Sequence, residues 1–328
     1  MVLLDRKFEL VFDWYTKQSS DLLYNPELPG TAGGASVPYV NIGEMKNTGV
    51  DLQLIYHQTW GDFSFEANAS ITTYSNEIVS IAEGYDYWDA GGSRIGSFNR
   101  NEVGYSMGEF FGYNYLGLFE NQGAVDAAAT QDGAEAGFLQ FGDEDGSGAI
   151  DDADRIHIGN PNPDFTYGLN LVLGYKGFDL TAFFYGSQGN DIFNYNKWWL
   201  DFWPSFQGQK SADLLTNSWT PSNTGAELPK ASNKSNFSTN QVSNSYYIED
   251  GSFFRLKNLQ IGYTFDNATL GNAFSSLRVY VQGTNLLTFT SYTGMDPELA
   301  SFNDDFMGVD EGNLPAVQQF LFGVSLGF

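Results

Sequence analysis

The sequence contains no cysteine and only two histidines, His57 and His157. Without cysteine, the chain can have no disulfide framework, no thiol nucleophile and no Cys-ligated zinc site. Two histidines give it little capacity for proton transfer near neutral pH. Its carboxylates are so numerous that some pairs arise by chance, so such pairs do not indicate a glycosidase. We therefore expect that the protein is not an enzyme.

Positive charge is also scarce. The chain has 15 Lys and Arg against 40 Asp and Glu, which gives a net charge of 15 − 40 = −25. A nucleic-acid binder needs rows of cations to neutralise phosphates, so this class of partner is excluded. Adsorption to anionic lipid surfaces is disfavoured for the same reason.

Long apolar runs are missing as well. No stretch of about 18 apolar residues occurs, which argues against a transmembrane helix. At the N-terminus, Asp5 and Arg6 come before an apolar segment of useful length has formed, so we expect no signal peptide. A membrane β-barrel stays open as a possibility, because barrel strands place only alternate residues in lipid.

Aromatic residues and glycine are abundant, with 28 Phe, 19 Tyr, 7 Trp and 37 Gly, a composition typical of β-rich proteins. Apolar side chains alternate with small or polar ones in Phe165–Tyr175 and again in Phe320–Phe328. This period of two predicts half-buried strands. Similar alternation occurs in residues 8–15, 50–57, 63–72, 111–119, 178–184, 259–265 and 277–282.

The connectors differ in length in a regular way. Trp60-Gly61 and Lys176-Gly177 are tight turns, whereas long polar segments occupy residues 19–46, 120–163, 193–251 and 290–316. Short turns at one end and long loops at the other predict an antiparallel transmembrane β-barrel rather than a soluble β-sandwich.

The direction of the strands predicts their number. Residues 62–78 and 109–119 would otherwise be consecutive strands running the same way, so we place a further strand in residues 92–104, at Arg94–Glu102. The sequence then predicts about ten barrel strands. Arg255 shares its parity with the apolar row Leu259–Phe265, so either it lies at the outer aromatic girdle or a β-bulge near residue 256 reverses the parity.

Several stretches resemble the SusC/RagA family of TonB-dependent outer-membrane transporters. They are Asn41–Asp51, Gly108–Phe119, Ile158–Gly168, Tyr247–Tyr263, Leu277–Leu287, Gly294–Glu298 and Gln319–Phe328. The resemblance implies that residues 1–328 are the C-terminal portion of a 22-stranded barrel, without the signal peptide, TonB box and plug domain. The terminal Phe328 resembles the residue that the barrel-assembly machinery recognises in such proteins.

The same resemblance implies import of a glycan or oligopeptide across the outer membrane of a Gram-negative bacterium. The implied partners are a SusD-like surface lipoprotein, the TonB complex and the lipid of the outer membrane. Two competing hypotheses remain at this stage: a secreted calcium-dependent carbohydrate-binding β-protein that acts as an adhesin, and a passive pore.

Residues 143–154 match the spacing of an EF-hand calcium loop, with a turn glycine at Gly148. Asp replaces the bidentate Glu at the twelfth position and neither flank is helical, so we expect weak calcium binding in an extracellular loop. An acidic solvated turn without metal is the alternative. The predicted ligands are Asp143, Asp145, Ser147, the Ala149 carbonyl, Asp151 and Asp154.

An aromatic cluster lies in one of the predicted external loops. Its rings either contact a ligand or a lipoprotein lid, or pack the loop against the barrel rim. The residues proposed for ligand or lid contact are Tyr195, Trp198, Trp199, Trp203 and Phe206.

Overall fold

The alternating segments form strands in the computed structural model, which describes residues 2–3, 7–24, 40–41, 43–81, 85–206, 208–265, 274–299 and 304–327. Phe328 lies outside them. In these residues no helix is both long enough and apolar enough to cross a bilayer. The strands are β1 (Val2–Leu3), β2 (Phe8–Ser19), β3 (Leu23–Tyr24), β4 (Val40–Asn41), β5 (Gly43–Trp60), β6 (Phe63–Ile81), β7 (Tyr87–Ser93), β8 (Gly96–Glu102), β9 (Phe110–Tyr113), β10 (Tyr115–Leu118), β11 (Leu139–Phe141), β12 (Arg155–Gly159), β13 (Phe165–Tyr175), β14 (Phe178–Gln188), β15 (Asp191–Asn194), β16 (Ile248–Asp250), β17 (Phe253–Phe265), β18 (Ser276–Thr290), β19 (Val309–Asp310) and β20 (Gln319–Gly327).

The helical elements are short and lie between the strands. They are the α-helices α1 (Gln122–Ala127) and α2 (Asn196–Leu200) and the 3-10 turns Asp152–Asp154, Trp203–Ser205, Ala212–Leu215, Ser245–Tyr247 and Asp304–Phe306.

One antiparallel sheet contains all the long strands. Its order is β1-β2-β5-β6-β13-β14-β17-β18-β20, so each strand pairs with the strands of this sheet that precede and follow it in the chain. Tight turns at Gly61 and at Lys176-Gly177 join strands at one end, where left-handed φ angles of +60°, +46° and +86° reverse the chain. The long connections all emerge at the other end, as the sequence predicts.

The register puts the apolar rows of all these strands on one face. Leu171, for example, lies opposite Ala182 on one side and Ala67 on the other. This face is open: Phe12 is 60% exposed and Phe322 is 83% exposed. Among the described residues no second sheet packs on it, which argues against the sandwich alternative.

The opposite face of the sheet is polar. Gln53 donates a hydrogen bond of 2.9 Å to Asn68 across neighbouring strands. Arg278 bonds Asp179 through two nitrogens, at 3.0 Å and 2.6 Å. One face suited to hydrocarbon and one suited to water are what a membrane barrel requires.

A β-bulge resolves the position of Arg255. The register of β17 shifts between Leu256 and Asn258 against both neighbouring strands. The shift turns Leu256 to the apolar face and Arg255 to the polar face, where Arg255 is 3% exposed. The alternative with a bulge is therefore the one observed, and no cation of β17 has to face lipid at this point.

The prediction that residues 92–104 and 109–119 form two strands of the barrel is wrong. Residues 92–104 and 109–119 do not join the main sheet: β7, β8, β9 and β12 form a separate four-stranded sheet, and β10 pairs with β11. Within the described residues the main sheet has nine strands, the first of which contains two residues. Removing two of the ten predicted strands leaves eight, and β1 is a ninth that the sequence did not predict. Because the two misplaced strands are consecutive, the predicted directions of all later strands are unaffected.

The hydrophobic core lies in the long connections and not behind the main sheet. Phe98, Phe110 and Leu139 are fully buried there and pack against residues of the connection between β14 and β17, such as Phe193 and Tyr247. The buried apolar side chains of residues 92–119, such as Phe98 and Phe110, thus face a protein core, which explains why this segment resembles barrel strands without reaching lipid.

Candidate functional site

The acidic loop of residues 143–154 lies in the connection between β6 and β13, at the end of the sheet that carries the long connections. It begins just after β11 and ends at β12. Gly146 and Gly148 have φ angles of +71° and +86°, a backbone conformation that other residues rarely adopt. The chain can therefore turn tightly enough to bring both ends of the loop together.

Three of the predicted ligands converge. Asp143, Asp145 and Asp154 each offer a carboxylate oxygen, and these oxygens lie within 4.8 Å of one another. Asp143 accepts hydrogen bonds from the amides of Ser147 and Gly148, at 3.0 Å and 2.9 Å. Each carboxylate oxygen has two lone pairs, so accepting an amide leaves capacity for a cation.

Asp154, the last residue of the loop, holds the two ends of the loop together. It is fully buried, and its two oxygens accept the amides of Glu144 at 2.7 Å and of Asp151 at 2.8 Å. Asp151 in turn caps the following 3-10 turn by accepting the amide of Ala153 at 2.8 Å. A buried carboxylate without a neighbouring cation is costly, so this position is suited to a bound metal ion.

The remaining predicted ligands are placed differently. The Ser147 hydroxyl donates to the Ala149 carbonyl at 3.0 Å, and Asp151 is engaged in its cap. The hydrogen bond from the Ser147 amide, together with that from its side chain, lowers the pKa of Asp145. The ionised carboxylate that a cation needs is thus favoured. Three hard carboxylate ligands on a tight loop fit calcium better than a softer metal.

The structure divides the predicted aromatic cluster in two. Tyr195 and Trp198 are 1% and 3% exposed and belong to the core, and Trp199 packs against that core with Arg94 over its ring at 4.9 Å. Trp203 and Phe206 remain about half exposed.

Tyr195 and Trp198 therefore pack the connection, which is the second of the two roles predicted for the cluster, and have almost no surface left for a ligand. Burial also raises the pKa of the Tyr195 hydroxyl. Trp203 and Phe206 are the members with free surface for a ligand or a lid.

A cleft that sequence reasoning missed lies beside this cluster. Its volume is about 910 Å³, and it is formed by the connections between β14 and β17 and between β18 and β20. Acidic side chains dominate its charged lining, which consists of Lys197, Asp201, Asp213, Glu227, Glu249 and Asp250. No local motif points to the cleft, because its residues are scattered between positions 194 and 312.

Known proteins resemble the whole of the described architecture. The TonB-dependent receptor P3 of Formosa agariphila is 36% identical over 342 residues, which cover 100% of this chain and 33% of the relative. SusC of Bacteroides thetaiotaomicron is 27% identical over 327 residues, covering 96% of this chain and 30% of SusC. The solved RagAB peptide transporter matches with a TM-score of 0.79 at 26% identity, covering 99% of this chain and 34% of that chain. The chain belongs to the SusC/RagA family of TonB-dependent receptors.

No protein-family model matches the chain. The SusC/RagA-family chain spans about a third of the length of these relatives. Membership in the family confirms the resemblance noted in the sequence, and the structural match confirms the antiparallel barrel class. The main sheet is thus a section of barrel wall, its apolar face is the outer one, and the acidic loop and the cleft lie in the connections at one rim.

Proposed function

We propose that the protein to which this chain belongs imports a glycan or an oligopeptide across the outer membrane, driven by TonB, under a SusD-like lipoprotein lid. The observation that carries the proposal is the continuous apolar outer face of the main sheet, backed by a polar inner face. A soluble binding protein would gain nothing from such a face, because exposed apolar rows of this extent promote aggregation in water.

The arrangement of the connections supports the same function. They form a packed unit with its own aromatic core at one rim, and this unit contains the cleft. A ligand could therefore be held at the rim before it enters the barrel. Two relatives are named as TonB-dependent receptors and a third as a peptide transporter. No chemical step on the ligand is needed.

A pair of neighbouring substitutions tests whether the apolar face contacts lipid. Leu171 lies near the middle of β13 on the apolar face, and Asn170 projects to the polar face. An arginine near the bilayer midplane costs about 2–4 kcal/mol, whereas one in an aqueous lumen costs far less. We expect Leu171→Arg to reduce the amount of folded protein in isolated outer membranes sharply, and Asn170→Arg to leave it nearly unchanged.

Equal accumulation of the two variants would contradict the barrel assignment. Recovery of the wild-type protein in buffer without detergent would favour the secreted adhesin instead. For transport, uptake of a defined oligosaccharide mixture and of a defined oligopeptide mixture is compared in cells with and without TonB. Uptake that does not depend on TonB would refute the proposal and favour a passive pore.

We also propose that the loop of residues 143–154 binds calcium weakly, at about 10⁻⁴–10⁻³ M, which is the range of extracellular calcium modules. Calcium would fix the connection between β6 and β13 and thereby stabilise the rim. At a calcium concentration ten times the Kd, one site stabilises the folded state by about 1.4 kcal/mol. Asp143, Asp145 and Asp154 would provide the carboxylate ligands.

Thermal unfolding of the detergent-solubilised receptor with and without 10 mM calcium tests this proposal. We expect calcium to raise the Tm of the wild type and of Asp132→Asn, an exposed carboxylate outside the loop. It should not raise the Tm of Asp154→Asn. A calcium effect that survives Asp154→Asn would place the ion elsewhere.

A further inference from the structure

A hairpin at the rim holds one arginine in an exposed and fixed position. Arg94 lies in the turn between β7 and β8, and its side chain is exposed. The next residue, Ile95, is 4% exposed and belongs to the hydrophobic core of the connections, and its carbonyl accepts the Ser243 amide at 3.1 Å. The tip of the hairpin is therefore anchored, and it presents Arg94 to solvent from a rigid base.

Aromatic rings hold the guanidinium of Arg94. Its Cζ lies 5.5 Å from the ring centroid of Trp198 and 4.9 Å from that of Trp199, both within the range of a cation–π contact. Burial raises the pKa of Tyr195, and the hydrogen bond from Ser93 and the nearby charge of Arg94 oppose that effect. A cation–π contact is not a hydrogen bond, so it leaves the N–H donors of the guanidinium available to other acceptors.

No carboxylate compensates this charge. Among the described residues, no carboxylate oxygen lies within 4.0 Å of Arg94, although the chain has 40 Asp and Glu against 15 Lys and Arg. Arg155 is the other described arginine without such a partner, and it is partly buried over the Phe111 ring. The remaining described arginines form ion pairs, Arg100 with Asp89, Arg255 with Asp296 and Arg278 with Asp179. Arg94 is thus an exposed guanidinium that can receive a carboxylate from a ligand.

An exposed aromatic ring adjoins the guanidinium. Phe206 packs edge-on against Trp199, with the ring centroids 5.6 Å apart, and Arg94 contacts the same indole. Phe206 is 53% exposed, so it offers apolar surface close to the charge of Arg94. A ligand that carries a carboxylate next to an apolar group could therefore use both residues at once.

We infer that Arg94, Trp199 and Phe206 form a subsite for a carboxylate of the imported ligand, carried either by the C-terminus of an oligopeptide or by a uronic acid sugar. The inference rests on the proposed import function and names the chemistry of its ligand. Arg94 donates two N–H groups to the carboxylate, and Phe206 contacts the apolar part beside it. The net charge of −25 repels anions from a distance, but salt screens this repulsion beyond about 8 Å, so the contact with Arg94 decides whether the carboxylate is held.

Binding to the receptor purified from outer membranes in detergent tests the inference with two pairs of probes. The peptide pair is N-acetyl-Gly-Gly-Leu with a free C-terminal carboxylate and the same peptide as its C-terminal amide. The sugar pair is trigalacturonic acid and its methyl ester. We expect the carboxylate member of at least one pair to bind about tenfold more tightly than its neutral counterpart, since charge-assisted hydrogen bonds are roughly twice as strong as neutral ones. The pair that shows this difference identifies the source of the carboxylate.

Two subsite variants and a matched control make the test specific. Arg94→Met removes the charge but keeps a flexible apolar side chain on the indoles, so it should weaken binding of the carboxylate probe about tenfold and leave the neutral probe unchanged. Phe206→Ala should weaken both members of the pair by a similar factor of about three, because it removes apolar contact alone. Arg278→Met makes the same substitution at the opposite end of the sheet, since Arg278 pairs with Thr264 and the Thr264 amide donates to the Gly177 carbonyl at 2.8 Å. It should change neither probe.

The inference is overturned if the neutral probes bind as tightly as the carboxylate probes, or if no probe binds while TonB-dependent uptake of another nutrient persists. It is also overturned if Arg94→Met weakens both members of a pair alike, which would give Arg94 a purely structural role, or if Arg278→Met weakens binding as much as Arg94→Met. Binding is measured without transport. A receptor that keeps the preference for the carboxylate but shows no TonB-dependent uptake would therefore refute the proposed function and not the subsite.

Discussion

Replacing Arg255 by methionine should release the segment Gly294–Glu298 from the polar face of the sheet. All three guanidinium nitrogens of Arg255 have partners: Thr288 at 2.9 Å, Glu298 at 2.7 Å and Asp296 at 2.5 Å. The side chains of Arg255 and Asp296 are 3% and 8% exposed, so this is a buried ion pair. The contacts of Arg255 with Asp296 and Glu298 hold the segment Gly294–Glu298 in place.

The cost of the substitution follows from the partner that it leaves behind. Removing one member of a buried pair typically costs 3–5 kcal/mol, because the other charge stays buried and uncompensated. Glu298 is one-third exposed and keeps its hydrogen bond from Lys257 at 2.8 Å, so its carboxylate stays compensated and adds little to the cost. The cost thus comes mainly from Asp296, and we expect about 3 kcal/mol, or about a 10²-fold rise in local opening.

Two backbone amides report this opening directly. Asp296 accepts the amides of Glu298 at 2.9 Å and of Ala316 at 2.8 Å, so both should be protected from hydrogen exchange. Hydrogen exchange followed by mass spectrometry on the detergent-solubilised receptor measures them. In Arg255→Met, both amides should exchange about 10²-fold faster than in the wild type.

The control is Arg278→Met, because Arg278 and Asp179 form a pair that is about 30% exposed on each side. Such pairs contribute about 1 kcal/mol or less. The double variant Arg255→Met with Asp296→Asn should open less than Arg255→Met alone, since no unpaired charge remains. If Arg255→Met changes the exchange of the Glu298 amide by less than about threefold, the buried pair does not hold the segment and the reasoning is refuted.

Two further predictions concern the packed connections. A side chain at Gly112 would place its Cβ 2.4 Å from the Ser243 carbonyl oxygen, so Gly112→Val should lower the free energy of unfolding by about 1–3 kcal/mol. The Cβ of Gly225→Ala meets no atom within 4 Å, so this control should not lower it. Equal losses of the two variants in urea unfolding would contradict this account. Burial raises the pKa of the Asp201 carboxyl, against the opposing hydrogen bond from Tyr246. The folded protein is therefore more stable when Asp201 is neutral, and this stability is lost as the pH rises through the raised pKa. Asp201→Asn should therefore raise the Tm at pH 7.5 and raise it less at pH 4, and a gain that is larger at pH 4 would show that the sign is wrong.

The long barrel strands could be predicted from the sequence, because an outward row of apolar residues repeats at a period of two. Phe165–Tyr175 has the same bounds in the sequence pattern and in the structure. The error in residues 92–119 has a physical cause. Apolar residues that face a protein core and those that face lipid look alike in a single sequence, and only the length of the strand distinguishes them. β8 has seven residues and β9 has four, fewer than the 9–11 that a tilted membrane strand needs.

The acidic loop and the cleft differ in how far apart their residues lie in the chain, and this decides which of them sequence reasoning can find. The loop takes its carboxylates from twelve consecutive residues, so its spacing is visible as a motif. The cleft exists because antiparallel strands joined by tight turns at one end must place every long connection at the other. Asn194, Glu249 and Thr293 meet there although about 100 residues separate the first from the last. Its charge was therefore present in the composition, as part of the net −25, but its location depended on the register of the barrel wall.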